Sequence, residues 1–277
     1  MIACFSKTNI GYLHTREGKV CQDFSASYHD EERTIIAACD GHGGKAYIRS
    51  DIGSRYAVKA VLSAFQGVER SLFYRCSKEE ICDKLRLQIL CEWNNLVENH
   101  LTKKRISKRE TEGLSEEELF KLRRFPVKAY GTTLQGAMLF AGKLICVSLG
   151  DGGIFLLKKG EVIPAFEEDE ETVANLTYSL CQEDAYQYLK AAVFDLSEFD
   201  GVLACTDGVV NPYQSLFNFK ERFVKPVCLN LQEGRYEETA DFLKDLGEKL
   251  GTGDDVSMAI AMKTGISLRG YRRKNDF

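Results

Sequence analysis

A chain of 277 residues with 44% apolar and 28% charged side chains has the composition of an ordinary globular protein, and one large domain spanning 1-277 is expected. Its formal net charge of -4 gives no electrostatic footprint for nucleic acid or an anionic membrane, and no run approaches the ~20 apolar residues of a membrane span. The start, MIACFSKTNIG, lacks the basic and apolar regions of a secretory signal, and ten scattered cysteines with no C-x-x-C pair read as small buried hydrophobes, so a cytoplasmic monomer is expected.

In chain order, Ile2 to Ser6 alternates weakly and reads as an edge strand. A loop-like stretch with Gly11 and Gly18 then ends on Gln22 and Asp23. Phe24 to Tyr28, the charged turn HDEER and the β-rich run Thr34 to Cys39 predict a hairpin with Asp23 at its beginning and Asp40 at its end. Antiparallel pairing places those two carboxylates side by side. After the hairpin, ACDGHGG breaks the strand with Gly41, Gly43 and Gly44 and sets His42 at the mouth of a tight turn. Alone, that string fits a plain turn as well as it fits chemistry.

Apolar residues at helical spacing predict one helix from Lys45 to Phe65 and a second from Lys78 to about Leu101, both covering a sheet. A charged segment follows, with Ser115 and Glu118 forming the capping-box pattern of a short helix. Beyond Pro126, the stretches Gly131 to Phe140, Leu144 to Leu149, Ile154 to Lys158 and Glu161 to Phe166 are joined by short turns and read as a meander. The acidic run EEDEE reads as a solvated loop, and Thr172 to Lys190 has no clear period. Val202 to Thr206 is strand-like and ends in Asp207-Gly208. Tyr213 to Leu250 is largely helical, GDDVSMAIAM opens a last strand behind Asp254 and Asp255, and the basic tail GYRRKNDF reads as frayed.

Strands occur as hairpins, with long helices in two blocks at about 67-125 and 209-250. This pattern predicts an α+β fold of two packed antiparallel sheets flanked by helices, a four-layer α-β-β-α sandwich. Asp23, Asp40, Asp207 and Asp254 each stand where a β segment begins or ends, so they can share one rim. Clustered carboxylates repel unless cations neutralise them. Oxygen-only ligands suit Mg²⁺ or Mn²⁺ better than zinc, and two such ions roughly 3.5 to 4 Å apart activate a water for in-line attack on phosphorus.

The ordered set CQDF, ACDGHGG, YGTT, SLGDGG, ACTDGV and GDDVS resembles the metal-dependent serine/threonine protein phosphatases of type 2C, most closely the bacterial branch, from about Gly11 to Met262. The resemblance implies hydrolysis of phosphoserine and phosphothreonine in phosphorylated proteins by a metal-bridging hydroxide, with two ions of Mg²⁺ or Mn²⁺. It makes Asp40 the carboxylate that bridges both metals, with the Gly41 carbonyl a further ligand. Asp23 would serve the second metal, and Asp207 and Asp254 the first. His42 would be the general acid, Asp255 a weaker or outer ligand, and Gly131, Thr132 and Thr133 a bracing turn.

Four positions depart from that pattern. Gln22 stands where many relatives have glutamate. The phosphate-clamping arginine has Arg16 as its nearest match, with His14 and Lys19 as other candidates. GDGG replaces the common GDSR, and Lys128-Ala129-Tyr130 supplies no acid before Gly131, so a third ion is not assigned. The alternative to an enzyme is a catalytically dead relative that keeps the fold as a binding or regulatory module.

Overall fold

The β-rich runs of the sequence pair into two antiparallel five-stranded sheets in a computed structural model that describes residues 1–167 and 177–265. In chain order the strands are β1 (Ile2–Asn9), β2 (Phe24–His29), β3 (Arg33–Cys39), β4 (Leu134–Phe140), β5 (Lys143–Leu149), β6 (Gly153–Lys158), β7 (Glu161–Pro164), β8 (Lys190–Asp195), β9 (Gly201–Cys205) and β10 (Val256–Lys263). One sheet runs β1-β10-β9-β6-β7 and the other β2-β3-β4-β5-β8. The helices are α1 (Tyr12–Glu17), α2 (Ser50–Gln66), α3 (Leu72–Arg75), α4 (Lys78–Lys103), α5 (Glu116–Arg124), α6 (Ala185–Tyr188), α7 (Asp207–Val210), α8 (Leu216–Phe219), α9 (Lys225–Gln232) and α10 (Tyr236–Asp245).

Central strands are apolar on both faces because each face meets a different layer. On β3, Ile35, Ala37 and Cys39 face the core under α2 and α4, whereas Ile36 faces the opposite sheet. On β10, Met258, Ile260 and Met262 pack beneath the helical block of Phe219, Phe223, Val227 and Leu231, while the small Ala259 and Ala261 fill the space between sheets. Helix α4 presents Ile81, Leu85, Ile89, Trp93 and Val97 at every fourth position, all buried. The Trp93 indole N–H donates to the Gly53 carbonyl at 3.1 Å, tying α4 to α2. The expected α+β four-layer sandwich is therefore the observed architecture. No helix among the described residues is long and apolar enough to cross a membrane.

Four details differ from the sequence expectation. The strands after Pro126 are not one meander: β4 and β5 belong to one sheet, β6 and β7 to the other, and the GDGG turn crosses between them. Sheets pack about 10 Å apart, so a four-residue turn can cross as easily as fold back, and the free edge of β5 is taken instead by β8. That strand, within KAAVFD, went unread. Helix α2 begins at Ser50 rather than Lys45, because residues 43–49 are spent on turns that Arg49 and Tyr47 hold. The first strand runs on to Asn9 and pairs with β10 along its length. Residues 168–171 of the acidic run, the start of the unassigned 172–190 stretch and the basic tail lie outside the described residues.

Candidate metal centre

One rim of the sandwich collects the ends of β1, β3, β5 and β9 and the starts of β2, β4, β6 and β10. Hairpin pairing sets Phe24 opposite Cys39, so Asp23 and Asp40 are the next residues out on adjacent strands. Asp23 is only 3% exposed and accepts a hydrogen bond from Thr206 Oγ1 at 2.8 Å. Thr206 Oγ1 in turn accepts from the Ser257 amide at 3.0 Å, which links Asp23 of one sheet to β9 and β10 of the other. Around Asp40, the amide donates to Thr133 Oγ1 at 3.0 Å, and the carbonyl accepts from Thr132 Oγ1 at 2.7 Å and the Thr133 amide at 2.8 Å.

Gly41 forms an isolated bridge with Thr132, but the bonds of that bridge are made by its neighbours, His42 N–H to Gly131 and Thr133 N–H to Asp40. Its own carbonyl is not consumed there. A Cβ at Gly41 would stand 2.6 Å from the carbonyl oxygens of both Gln22 and Ser50, so the close approach admits only glycine. Asp207 opens α7 directly behind β9, and its Oδ2 accepts from Asn211 Nδ2 at 2.9 Å. Strand β10 runs beside β9, which brings Asp254 and Asp255 to the same end. Asp254 is exposed. Asp255 is buried, and its two oxygens accept the amides of Gly11 and Gln22, each at 2.7 Å.

Electrostatics shows which carboxylates face one another. Burial, then the Asp40 carboxylate, pushes Asp23 well above the usual carboxylate range, against the stabilising hydrogen bond from Thr206. Asp40 is pushed up to about 8 by burial and then by Asp207, with Asp151 and Asp254 adding to it, while its hydrogen bond with Asp23 acts the other way. Asp207 rises to about 6 through burial and then Asp151 and Asp254. No lysine or arginine is among the groups that chiefly set these values.

Asp151, in the GDGG crossing turn, is thus a fifth member of the cluster that the sequence reading did not assign. The signal was present in its strand-then-Asp-Gly texture, shared with Asp40 and Asp207. A cavity of about 530 Å³ opens beside it between Gly152, Phe166, Tyr178 and Tyr188, and the other four carboxylates do not line that cavity. Among the described residues no three His, Cys, Asp or Glu side chains stand close enough to form a ready-made metal cage. The donor set nevertheless fits hard divalent cations: carboxylate oxygens from both sheets, a spare glycine carbonyl and a surplus of negative charge.

His42 packs its ring 4.9 Å from that of Tyr47, and its buried Nε2 has no hydrogen-bond partner. Burial holds its pKa below the ordinary value, and the Asp151 carboxylate pulls in the opposite direction. Gln22 braces the turn, its Nε2 donating to the His42 carbonyl at 3.1 Å and to Ser50 Oγ at 2.6 Å. Of the cations considered for phosphate, Arg16 is exposed on α1 with its guanidinium 5.9 Å from the Tyr12 ring centroid, and Lys19 pairs with Glu17 at 2.7 Å. His14 Nδ1 lies 3.0 Å from Asp255.

Comparison with known proteins agrees with this architecture. The profile of the family described as Protein phosphatase 2C matches residues 10–245. A serine/threonine phosphatase from S. agalactiae superposes with a TM-score of 0.59 at 17% identity, covering 95% of this chain and 99% of that one. Stp1 from Staphylococcus aureus gives 0.57 at 12% identity with 96% of each chain covered. The catalytic domain of serine threonine protein phosphatase PstP, in complex with two manganese ions, gives 0.55 at 16%, covering 95% of this chain and 98% of that one. No curated protein matches the sequence. With most of its length matched by the family profile and its two sheets laid out as in these phosphatases, the chain belongs to the protein phosphatase 2C family.

Proposed function

We propose that the chain hydrolyses phosphoserine and phosphothreonine esters in proteins with the help of two Mg²⁺ or Mn²⁺ ions. One observation carries this reading: five carboxylates drawn from both sheets converge on one rim, where burial and the neighbouring acids raise Asp23, Asp40 and Asp207, and no lysine or arginine is among the groups that chiefly set those three. Asp40 would serve both ions with the Gly41 carbonyl as a further ligand, Asp23 would serve one, and Asp207 and Asp254 the other. When bound, the ions would neutralise phosphoryl charge and acidify a water for in-line attack at phosphorus. The two manganese ions of the PstP domain support this choice of metal.

The chain's own residues supply orientation and a proton. Thr132 and Thr133 clamp both sides of the Asp40 main chain and so fix its carboxylate on the rim. The unpartnered Nε2 of His42 would be the atom that protonates the departing serine or threonine oxygen, and Asp151 favours the protonated ring. The helical stretches at about 67–125 and 209–250 of the single domain are read as the parts that select substrate.

The competing reading, a phosphatase-fold binding module, is favoured by the placement of Arg16 against Tyr12 rather than among the carboxylates. Hydrolysis of p-nitrophenyl phosphate with Mn²⁺ separates the two. Turnover should vanish with a chelator and fall on the order of 10²-fold or more in Asp40→Asn and in Asp207→Asn. Wild-type protein inert toward both this ester and phosphopeptides would sink the enzyme reading.

A further inference from the structure

Away from the rim, the last turn of α4, the loop 104–114 and α5 enclose a groove of about 320 Å³. Leu101, Ile106, Leu119, Leu122 and Pro126 give it an apolar floor. Arg105, Lys108 and Arg123 stand exposed around it. No carboxylate lines it, and none of the three cations makes an ion pair among the described residues. Of the acids in this segment, Glu110 pairs with Arg49, Glu117 with Lys121 and Glu118 caps α5, while the exposed Glu112 and Glu116 are not part of the groove lining. Phe120, 65% exposed, and Phe125, 45% exposed, continue the apolar surface along α5.

This groove is tied to the metal rim. Arg49 donates to the carbonyls of Lys104 at 2.8 Å and Arg105 at 3.1 Å and to Tyr130 Oη at 2.6 Å, fixing the loop to the element that ends at the site. Pro126, at the end of the groove, begins the 3-10 turn Pro126–Tyr130, and the next carbonyl, that of Gly131, holds the His42 amide. Three cations without an ion pair, around an apolar floor that no carboxylate lines, complement a negatively charged segment that carries an apolar side chain.

We propose that the groove docks an acidic segment of the phosphoprotein substrate, seating a leucine-like side chain on the floor with flanking Asp or Glu residues against Arg105, Lys108 and Arg123. The nature of the occupant rests on the phosphatase reading above. Docking remote from the phosphoester adds equal binding energy to substrate and transition state, so it lowers KM and leaves kcat unchanged.

Fluorescence anisotropy of a fluorescein-labelled, unphosphorylated peptide with one Leu between Glu residues measures docking without turnover. Wild type should bind it in a salt-sensitive manner. The triple variant Arg105→Glu, Lys108→Glu, Arg123→Glu should lose about tenfold or more in affinity while hydrolysing p-nitrophenyl phosphate at the wild-type rate. Equal binding by wild type and variant, or equal binding of a control peptide with Lys in place of Glu, overturns the proposal. So does a variant that loses aryl phosphate turnover together with peptide binding, since the loop would then act through the fold. A wild type inert toward both aryl phosphate and phosphopeptides would refute the phosphatase reading instead, and the anisotropy comparison would still decide whether the groove docks the peptide.

Discussion

Adjacent acids at 254 and 255 both precede the first paired residue of β10, yet Asp254 is exposed and Asp255 is buried. Both oxygens of Asp255 are committed to main-chain amides, those of Gly11 and Gln22, so it holds α1 and the start of β2 to β10. Asp254 is exposed and raises the pKa of Asp40 and Asp207 through space. Replacing Asp255 by Asn turns one acceptor into a donor that faces an amide, leaving a buried N–H without a partner at a cost of about 1–3 kcal/mol. Urea unfolding should show that loss for Asp255→Asn and a change within about 0.5 kcal/mol for Asp254→Asn. Calorimetric Mn²⁺ titration should show the reverse, with Asp254→Asn the weaker binder; a reversal of that pattern would exchange the two roles. A sequence shows that Asp254 and Asp255 are neighbours, but not which of them meets amides brought in from 244 and 233 positions away. For the same reason Asp151 was legible only as a turn residue, since its proximity to Asp40 depends on a crossing between sheets.

At the scale of elements, local signals carried far. Ser115 and Glu118 do form both halves of a capping box on α5, and Ser77 and Glu80 do the same on α4. The hairpin register that pairs Phe24 with Cys39 follows from alternation alone, and with it the placement of Asp23 beside Asp40. What local pattern cannot specify is which sheet a strand joins, hence the misread meander and the unread β8. Gly53 shows a related limit: mid-helix glycine costs roughly 0.5–1 kcal/mol relative to alanine, so the sequence alone invites Gly53→Ala as a stabilising change. In the fold a Cβ there would overlap the Tyr130 carbonyl oxygen, a main-chain atom that cannot swing aside. Overpacking of that kind costs about 1–3 kcal/mol, which exceeds the helix gain. Gly53→Ala should therefore lower the unfolding free energy measured in urea by a net of about 1–2 kcal/mol and, by displacing Tyr130 and Gly131, reduce aryl phosphate turnover. A more stable variant with full turnover would show that α2 slides freely over this turn.

Across the whole molecule, the layering was legible because buried faces set the composition of strands and helices, whereas the long-range polar tie through Arg49 was not. Read in sequence, Arg49 lies on a helix; in the fold it is 2% exposed just ahead of α2, and all five of its N–H donors are used, two of them on Glu110 at 2.7 and 3.2 Å. This one guanidinium joins the 104–114 loop, Tyr130 and the entry of α2, and so couples the apolar groove to the rim. The bonds from Arg49 hold the Glu110 carboxyl down at about 2, against 4.5 for an unperturbed glutamate. A carboxylate depressed in the folded state contributes stability that is present above its unfolded pKa and is lost as pH falls through its folded pKa. The contribution of Glu110 should thus be complete above about pH 4.5 and decline between there and about pH 2. Other carboxylates titrate in the same window, so the informative quantity is the difference from Glu110→Gln, which keeps the shape and removes the charge. At pH 7 that variant should be less stable by about 2 kcal/mol, the scale of a hydrogen bond to a charged group. The gap measured by urea unfolding should narrow as pH is lowered from 4.5 toward 2. A gap that stayed constant over that range would mean that the Arg49 fork holds the loop by shape and not by the charge of Glu110.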